Sequence, residues 1–144
     1  MEQKKHCIKA ELQINADNEE IISCVVEKGN PHDFTIFKRH EIEIEEKIEI
    51  LADSGYQGLQ KIHANCKIPF KKTKLKKLTE EQKTYNKELS QERIKIEHTN
   101  RQCKIFRIVK DVYRGKKKHS QNIWEIICGI VNLKNSKLKK VQII

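Results

Sequence analysis

Glycine and proline are scarce in this chain, with five and two among 144 residues. Between Phe70 and Arg114 there is neither. That excludes a turn-rich β architecture for the stretch. It predicts one long helix, or two with a break near Asn86. Aromatic residues make up only 6% of the chain, and no apolar run is long enough to cross a membrane as a helix. There is no secretory leader pattern at the start. The five cysteines, at 7, 24, 66, 103 and 128, include no C-x-x-C pair, and their number is odd. Zinc-ribbon spacing is therefore absent, and a disulfide framework is not expected. All five read as reduced thiols, with Cys24 and Cys128 packing as small hydrophobes inside apolar runs. The expected setting is soluble and cytoplasmic.

Charge is abundant and unevenly placed. The net charge is +10. Residues 1–60 hold 7 Lys/Arg against 13 Asp/Glu, a net of −6, while residues 61–144 hold 23 against 7, a net of +16. A basic half of that size attracts polyanions and gives sequence-independent affinity for nucleic acid. Apolar residues account for 37% and are clustered, which suits one domain with one core.

The pattern of that core is mixed. "HCIKAELQIN" alternates, with Ile8, Ala10, Leu12 and Ile14 on one face and Lys9, Glu11 and Gln13 on the other. This predicts a half-buried strand, joined by the turn "NADNEE" to a second strand, "IISCVV", as a hairpin. Asp33 is placed to N-cap a short helix, "FTIFKRH". A strand is expected from about Lys47 to Asp53, followed by the glycine-punctuated loop "SGYQG". "KIPFKKTKLKK" reads as a basic connector. Thr79 and Gln82 have capping-box spacing ahead of the long helix. "QNIWEIICGIVNLK" reads as a mostly buried helix, with Ile123, Trp124, Ile126, Ile127, Ile130 and Val131 as core. The expected organisation is one domain over 1–144: strand-rich over 1–60, basic and helical over 61–134, frayed over 135–144. Strands first and helices later imply an α/β fold, a mixed sheet covered by helices.

Two carboxylates stand out. Asp53 ends a strand ahead of a glycine-rich loop, where α/β folds open a binding crevice; aspartate is also a common turn residue there. Glu97 lies mid-helix, four residues from both Arg93 and Arg101, a spacing that an ordinary solvated ion-pair ladder would equally produce. At roughly 100° per residue, Arg93, Glu97 and Lys104 fall within roughly 40° on one helix face. Carboxylate oxygens of this kind suit Mg²⁺ or Mn²⁺, and such metals clamp the oxygens of a phosphodiester displacement. The six histidines show no ligand spacing.

"LADSGYQGL", "IPFKK", "LTEEQKTYNKELSQERIKIEHTNRQCKIFRI" and "GIVNL" occur in an order that resembles the catalytic domain of DDE transposases of bacterial insertion sequences. "KKHCIKAELQIN" and "GNPHDFTIF" resemble the segment before it. The resemblance runs from about Lys4 to Leu133. That family's helix signature is Tyr, two residues, Arg, three residues, Glu, six residues, Lys. Arg93, Glu97 and Lys104 match three positions, and Ser90 stands where the Tyr would be. The resemblance implies an RNase H-like fold, Mg²⁺ or Mn²⁺, and cleavage and strand transfer at transposon ends. By position it makes Asp53 and Glu97 catalytic metal ligands. Arg93 and Lys104 become contacts to DNA phosphates. Lys71, Lys72, Lys74, Arg101 and Arg107 extend that DNA-binding surface across the basic half.

The resemblance also implies a first catalytic aspartate, on a strand preceding the hairpin. No residue here takes that place: Asp17 is in a turn, Asp33 belongs to the separate "HDF" motif, and Asp111 lies beyond Glu97. The expectation is thus an N-terminally truncated domain with its first strand missing. Little cleavage is expected from the isolated chain, and its sheet edge would be left open. Expected partners are double-stranded transposon-end DNA, the upstream half of a split transposase, and a second copy of the chain, at the bacterial nucleoid and away from membranes. A noncatalytic DNA-binding remnant and another RNase H-like nuclease are the alternatives.

Overall fold

A computed structural model describes residues 8–40, 44–74, 77–110 and 116–136, apart from the side chain of Lys117. The chain divides into two compact units, one of Met1–Asn30 with Lys95–Ile144 and one of Pro31–Ile94.

In the first unit, β1 (Ile8–Ile14) and β2 (Ile21–Lys28) form the expected antiparallel hairpin. The turn between them is built from short polar side chains. Asn15 Oδ1 accepts from Asp17 N at 2.9 Å, Asn18 Oδ1 accepts from Glu20 N at 3.0 Å, and Glu19 takes a left-handed φ of 62°. The apolar face of β1 packs on a core of Ile21, Val26, Cys103, Trp124, Ile127, Cys128 and Val131.

Helix α4 (Lys117–Asn135) covers that hairpin. Two of its amide side chains bind the backbone of β2. Asn132 pairs with both the N–H and the C=O of Ile21, at 2.8 and 2.9 Å. Gln121 accepts from Val26 N at 2.9 Å and donates to Cys24 O at 2.8 Å. These bonds satisfy the edge groups that a two-stranded sheet leaves open on the β2 side. The helix is less buried than its sequence suggested. Trp124, Ile127, Cys128 and Val131 face the hairpin, but Ile126 and Ile130 are exposed. Positions 124, 127, 128 and 131 share one stripe of a 3.6-residue period, and a two-stranded sheet covers only one stripe. Helix α2 (Glu80–Cys103) ends in this unit and is followed by the short α3 (Arg107–Lys110).

The second unit begins with α1 (Asp33–Arg39). Its N-cap is His32, with no side-chain capping bond, and Asp33 is the first helical residue. The cap expected at Asp33 is thus displaced by one position, and its carboxylate is released for another contact. The strand expected from Lys47 to Asp53 shrinks to β3 (Ile50–Leu51), which pairs in parallel with an unanticipated β4 (Cys66–Lys67). With a two-residue partner, only two residues of the apolar run can join a ladder. A small core of Ala52, Leu59 and Ile68 lies beneath, flanked by Phe34, Phe37, Ile50, Tyr56 and Cys66.

The capping box at the start of α2 is present. Thr79 N donates to Gln82 Oε1 at 3.1 Å, and Gln82 N donates to Thr79 Oγ1 at 3.2 Å. The helix runs unbroken through Asn86, whose side chain instead pairs with Phe70 N and O at 2.8 and 3.0 Å. Phe70 and Tyr85 meet edge to face, with ring centroids 5.3 Å apart. Among the described residues Cys24, Cys66, Cys103 and Cys128 are free thiols; Cys7, Asp111 and residues 137–144 of the expected frayed tail lie outside the description.

Candidate active site

Asp53 stands two residues past the end of β3, and the structure holds it firmly. β3 is anchored by Ile50 N donating to Asn65 O and Ala52 N to Lys67 O, both at 3.0 Å. Ala52 is buried, so the backbone cannot slide outward before Asp53 is reached. Asp53 then N-caps a 3₁₀ turn, Ser54–Tyr56, with Oδ1 accepting from Gly55 N at 2.6 Å. This is the local bond that a short acidic side chain makes in a turn, and it fixes one carboxylate oxygen. The following Gly58 has φ 100°, a conformation that disfavours any side chain. It lets Leu59 turn inward to complete burial.

Helix α1 presses on this turn at three places. Asp33 Oδ2 lies 2.7 Å, and Asp53 Oδ1 2.9 Å, from the position that a Cβ on Gly55 would take. The Phe34 ring comes within 3.3 Å of the equivalent position on Gly58. Phe37 meets Tyr56 edge to face, with centroids 6.3 Å apart and planes at 87°. Nothing in the order of residues brings Asp33 beside Asp53, because nineteen residues, an acidic stretch among them, lie between the two. The glycine at 55 was the available signal, since it marks a close approach of something to the backbone.

Glu97 is placed quite differently. It is an exposed residue in the second half of α2, one turn after the half-buried Arg93. The helix here is fixed from its other face by Thr99, which is fully buried and whose Oγ1 donates to Lys95 O at 3.2 Å, and by Cys103. Lys104 follows the last helical residue, and its N–H still bonds Asn100 O at 3.2 Å, so the one-face spacing persists to it. Arg101, Lys104 and Arg107 are exposed, as are Lys71, Lys72 and Lys74 on the connector of the other unit. Lys67 is drawn into pairs with Glu49 at 3.1 Å and Glu92 at 3.6 Å. These pairs hold its ammonium above the usual lysine range, chiefly through the Glu49 hydrogen bond.

His98 is exposed, and the buried His63 bonds Ile48 O at 2.7 Å, so neither contradicts its reading as a non-ligand. Among the described residues, no three His, Cys, Asp or Glu side chains stand together as a preformed cation site. No described helix is long and apolar enough to cross a membrane.

Residues 1–132 match the family model of DDE superfamily endonucleases. The chain belongs to that superfamily. It is also 41% identical, over 128 residues, to a probable transposase for insertion sequence element IS702 from Microchaete diplosiphon. The match takes in 89% of this chain but 46% of that protein, so the chain spans about half the length of the curated relative. No solved structure matches. The likeness to insertion-sequence transposases read from "LADSGYQGL" and from Arg93, Glu97 and Lys104 thus holds.

Proposed function

We propose that these 144 residues form part of a single RNase H-like catalytic domain of a DDE transposase, with Asp53 and Glu97 as two of its three metal-binding carboxylates. The observation that carries this is the turn at Asp53, a carboxylate at a strand end with one oxygen tied down by Gly55 N. Membership of the DDE superfamily supports reading it as more than an ordinary turn aspartate. Glu97 takes its role from its place in the helix signature, between Arg93 and Lys104.

Hard carboxylate oxygens fit Mg²⁺ or Mn²⁺. When bound, such ions supply Lewis-acid stabilisation of the attacking and leaving oxygens of a phosphodiester. The chain's own contribution is to hold the ligands and the DNA. Asp53 is orientated by its turn and Glu97 by its helix. Arg93, Arg101, Lys104 and Arg107, with Lys71, Lys72 and Lys74, neutralise phosphates of double-stranded transposon-end DNA.

Two carboxylates without a third leave the metals short of charge and of a fixed ligand. The 144-residue chain assayed alone is therefore expected to bind DNA and to cleave it little. A second copy of the chain, or a separately translated upstream half, are the protein partners proposed, in the bacterial cytoplasm at the nucleoid. Reading the DNA upstream of the Met1 codon in all three frames tests the split arrangement; a helix-turn-helix region and an apolar strand carrying an aspartate would support it. Nicking of transposon-end duplex is the test of activity. Robust Mg²⁺-dependent nicking by the 144 residues alone, abolished by Asp53→Ala, would overturn the expected dependence on a third carboxylate. Salt-sensitive DNA binding indifferent to Mg²⁺ and to Glu97→Gln would favour the noncatalytic alternative, which the +16 charge of residues 61–144 also accommodates.

A further inference from the structure

We infer that Asp33, on α1, is a positioning residue for Asp53, and that it acts by packing against the Gly55 turn next to the Asp53 carboxylate. The proposal joins three observations within one compact unit. Gly55 N is committed to Asp53 Oδ1 by a 2.6 Å hydrogen bond, so the direction of the Asp53 side chain depends on where Gly55 sits. Asp33 Oδ2 occupies the space a side chain at 55 would need, 2.7 Å from its Cβ position. Asp33 is itself held in place because α1 is pinned to the same turn by Phe34 against Gly58 and Phe37 against Tyr56, while Ile36 is fully buried.

The consequences follow from geometry. Asp33 Oδ2 and Asp53 Oδ1 both crowd the Cβ side of Gly55, 2.7 and 2.9 Å from that position, so on this side the turn can move only if one of them moves. Asp53 Oδ1 is held by the turn itself. Without Asp33 the turn gains room on the α1 side, and the Asp53 carboxylate gains freedom with it. A ligand group that is free to wander must be ordered on binding, and that ordering weakens affinity. Asp33 is not assigned any contact with metal or DNA. Its effect on metal affinity rests on the reading of Asp53 as a ligand, whereas its effect on the turn does not.

The experiment uses the 144-residue chain, ¹⁵N-labelled, with Mn²⁺ or Mg²⁺ as probe. Hydrogen exchange and the chemical shift of the Gly55 amide report the turn. Titration with Mn²⁺ reports affinity. In Asp33→Ala the Gly55 amide should shift and exchange at least about tenfold faster, and Mn²⁺ should bind about tenfold more weakly. Asp33→Asn, which keeps the shape but not the charge, should restore both. That rescue separates contact with the turn from the favourable effect of an acid in the first turn of α1. If Asp33→Ala loses α1 altogether, Gly55→Ala tests the same contact from the other side. Its methyl group should move the ¹³C carboxyl signals of Asp33 and Asp53 together. An unchanged Gly55 amide in a folded Asp33→Ala chain overturns the proposal, as do carboxyl signals indifferent to Gly55→Ala. A perturbed amide with unchanged Mn²⁺ affinity supports Asp33 as positioning the turn and instead counts against Asp53 as a metal ligand.

Discussion

The two carboxylates proposed as metal ligands are held in opposite ways. Asp53 is immobilised locally by a strand end, a capping bond, a glycine turn and a helix pressed against it. Glu97 projects from the exposed side of a long helix whose opposite side is buried through Thr99 and Cys103. Position comes from short-range bonds in the first case and from the stiffness of a whole element in the second. A substitution at Asp53 therefore alters structure and chemistry together. One at Glu97 alters chemistry with little structural consequence. Mutational data on the two sites should be compared only after this difference has been removed.

The largest separation of the two sites is expected from Leu59→Ala. Leu59 is fully buried beneath the Asp53 turn. Its truncation should cost about 2–5 kcal/mol, measured by denaturant unfolding. The amides of residues 53–58 should be perturbed first and those around Glu97 less. Equal loss at both sites would show that the Asp53 turn has no local stability of its own.

Next in size is the pair Asp53→Ala and Asp53→Asn. The alanine removes the cap on Gly55 N and should cost about 1 kcal/mol, whereas asparagine keeps an acceptor and should cost little. Glu97→Gln, on an exposed helix surface, should stay within about 0.5 kcal/mol of the unaltered chain. Asp53→Asn and Glu97→Gln are thus the matched probes of chemistry. A Glu97→Gln chain as destabilised as Asp53→Ala would contradict the distinction drawn between them.

DNA binding should respond to the basic residues around Glu97 more than to either carboxylate. Replacing Arg93 and Lys104 by alanine should lower the slope of log affinity against log salt by about 2, since each phosphate contact contributes roughly 0.9. A slope unchanged in the double variant would remove these residues from the DNA interface.

The smallest effect near neutral pH concerns the thiols of the hairpin unit. Its hydrogen bond to Cys128, then burial, push the Cys103 thiol far above its ordinary range. The Cys103 contact lowers the Cys128 thiol, but a hydrogen bond with Cys24 and burial outweigh it and push Cys128 up to about 12. Both pKa values are raised on folding, so the fold favours the neutral thiols. Their stabilising contribution is complete below the ordinary thiol value of 9.0 and is lost as pH rises from there towards about 12. Unfolding measured from pH 8 to 11 should show a decline that is shallower in a Cys103→Ala, Cys128→Ala chain. An identical pH dependence in the two chains would contradict it.

Much of this was legible in the amino-acid order. The alternation of Ile8, Ala10, Leu12 and Ile14 specified the hairpin, and Thr79 with Gln82 marked the start of α2. What was not legible depended on pairing between distant residues. Lys47–Asp53 reads as a full strand from its apolar end, but strand length is set by the partner, and Cys66–Lys67 offers only two residues. Ile126 and Ile130 read as core but are exposed, because sequence shows how apolar a helix is, not how wide a surface covers it. Asp33 reads as a cap because capping is local. Its approach to Gly55 is a tertiary contact. At the candidate site, the strand end and glycines mark Asp53 without separating it from a turn residue, and Glu97 stands apart from a solvated ion-pair helix only through family resemblance; both roles are proposals.

The most direct test of the central claim is Mn²⁺ titration of the ¹⁵N-labelled 144-residue chain beside its Asp53→Asn form. The account predicts that Mn²⁺ selectively broadens the Gly55 amide of the unaltered chain, and that Asp53→Asn abolishes the broadening while leaving the unfolding curve in place. Undiminished broadening in Asp53→Asn, or none at millimolar Mn²⁺ in the unaltered chain, would contradict it.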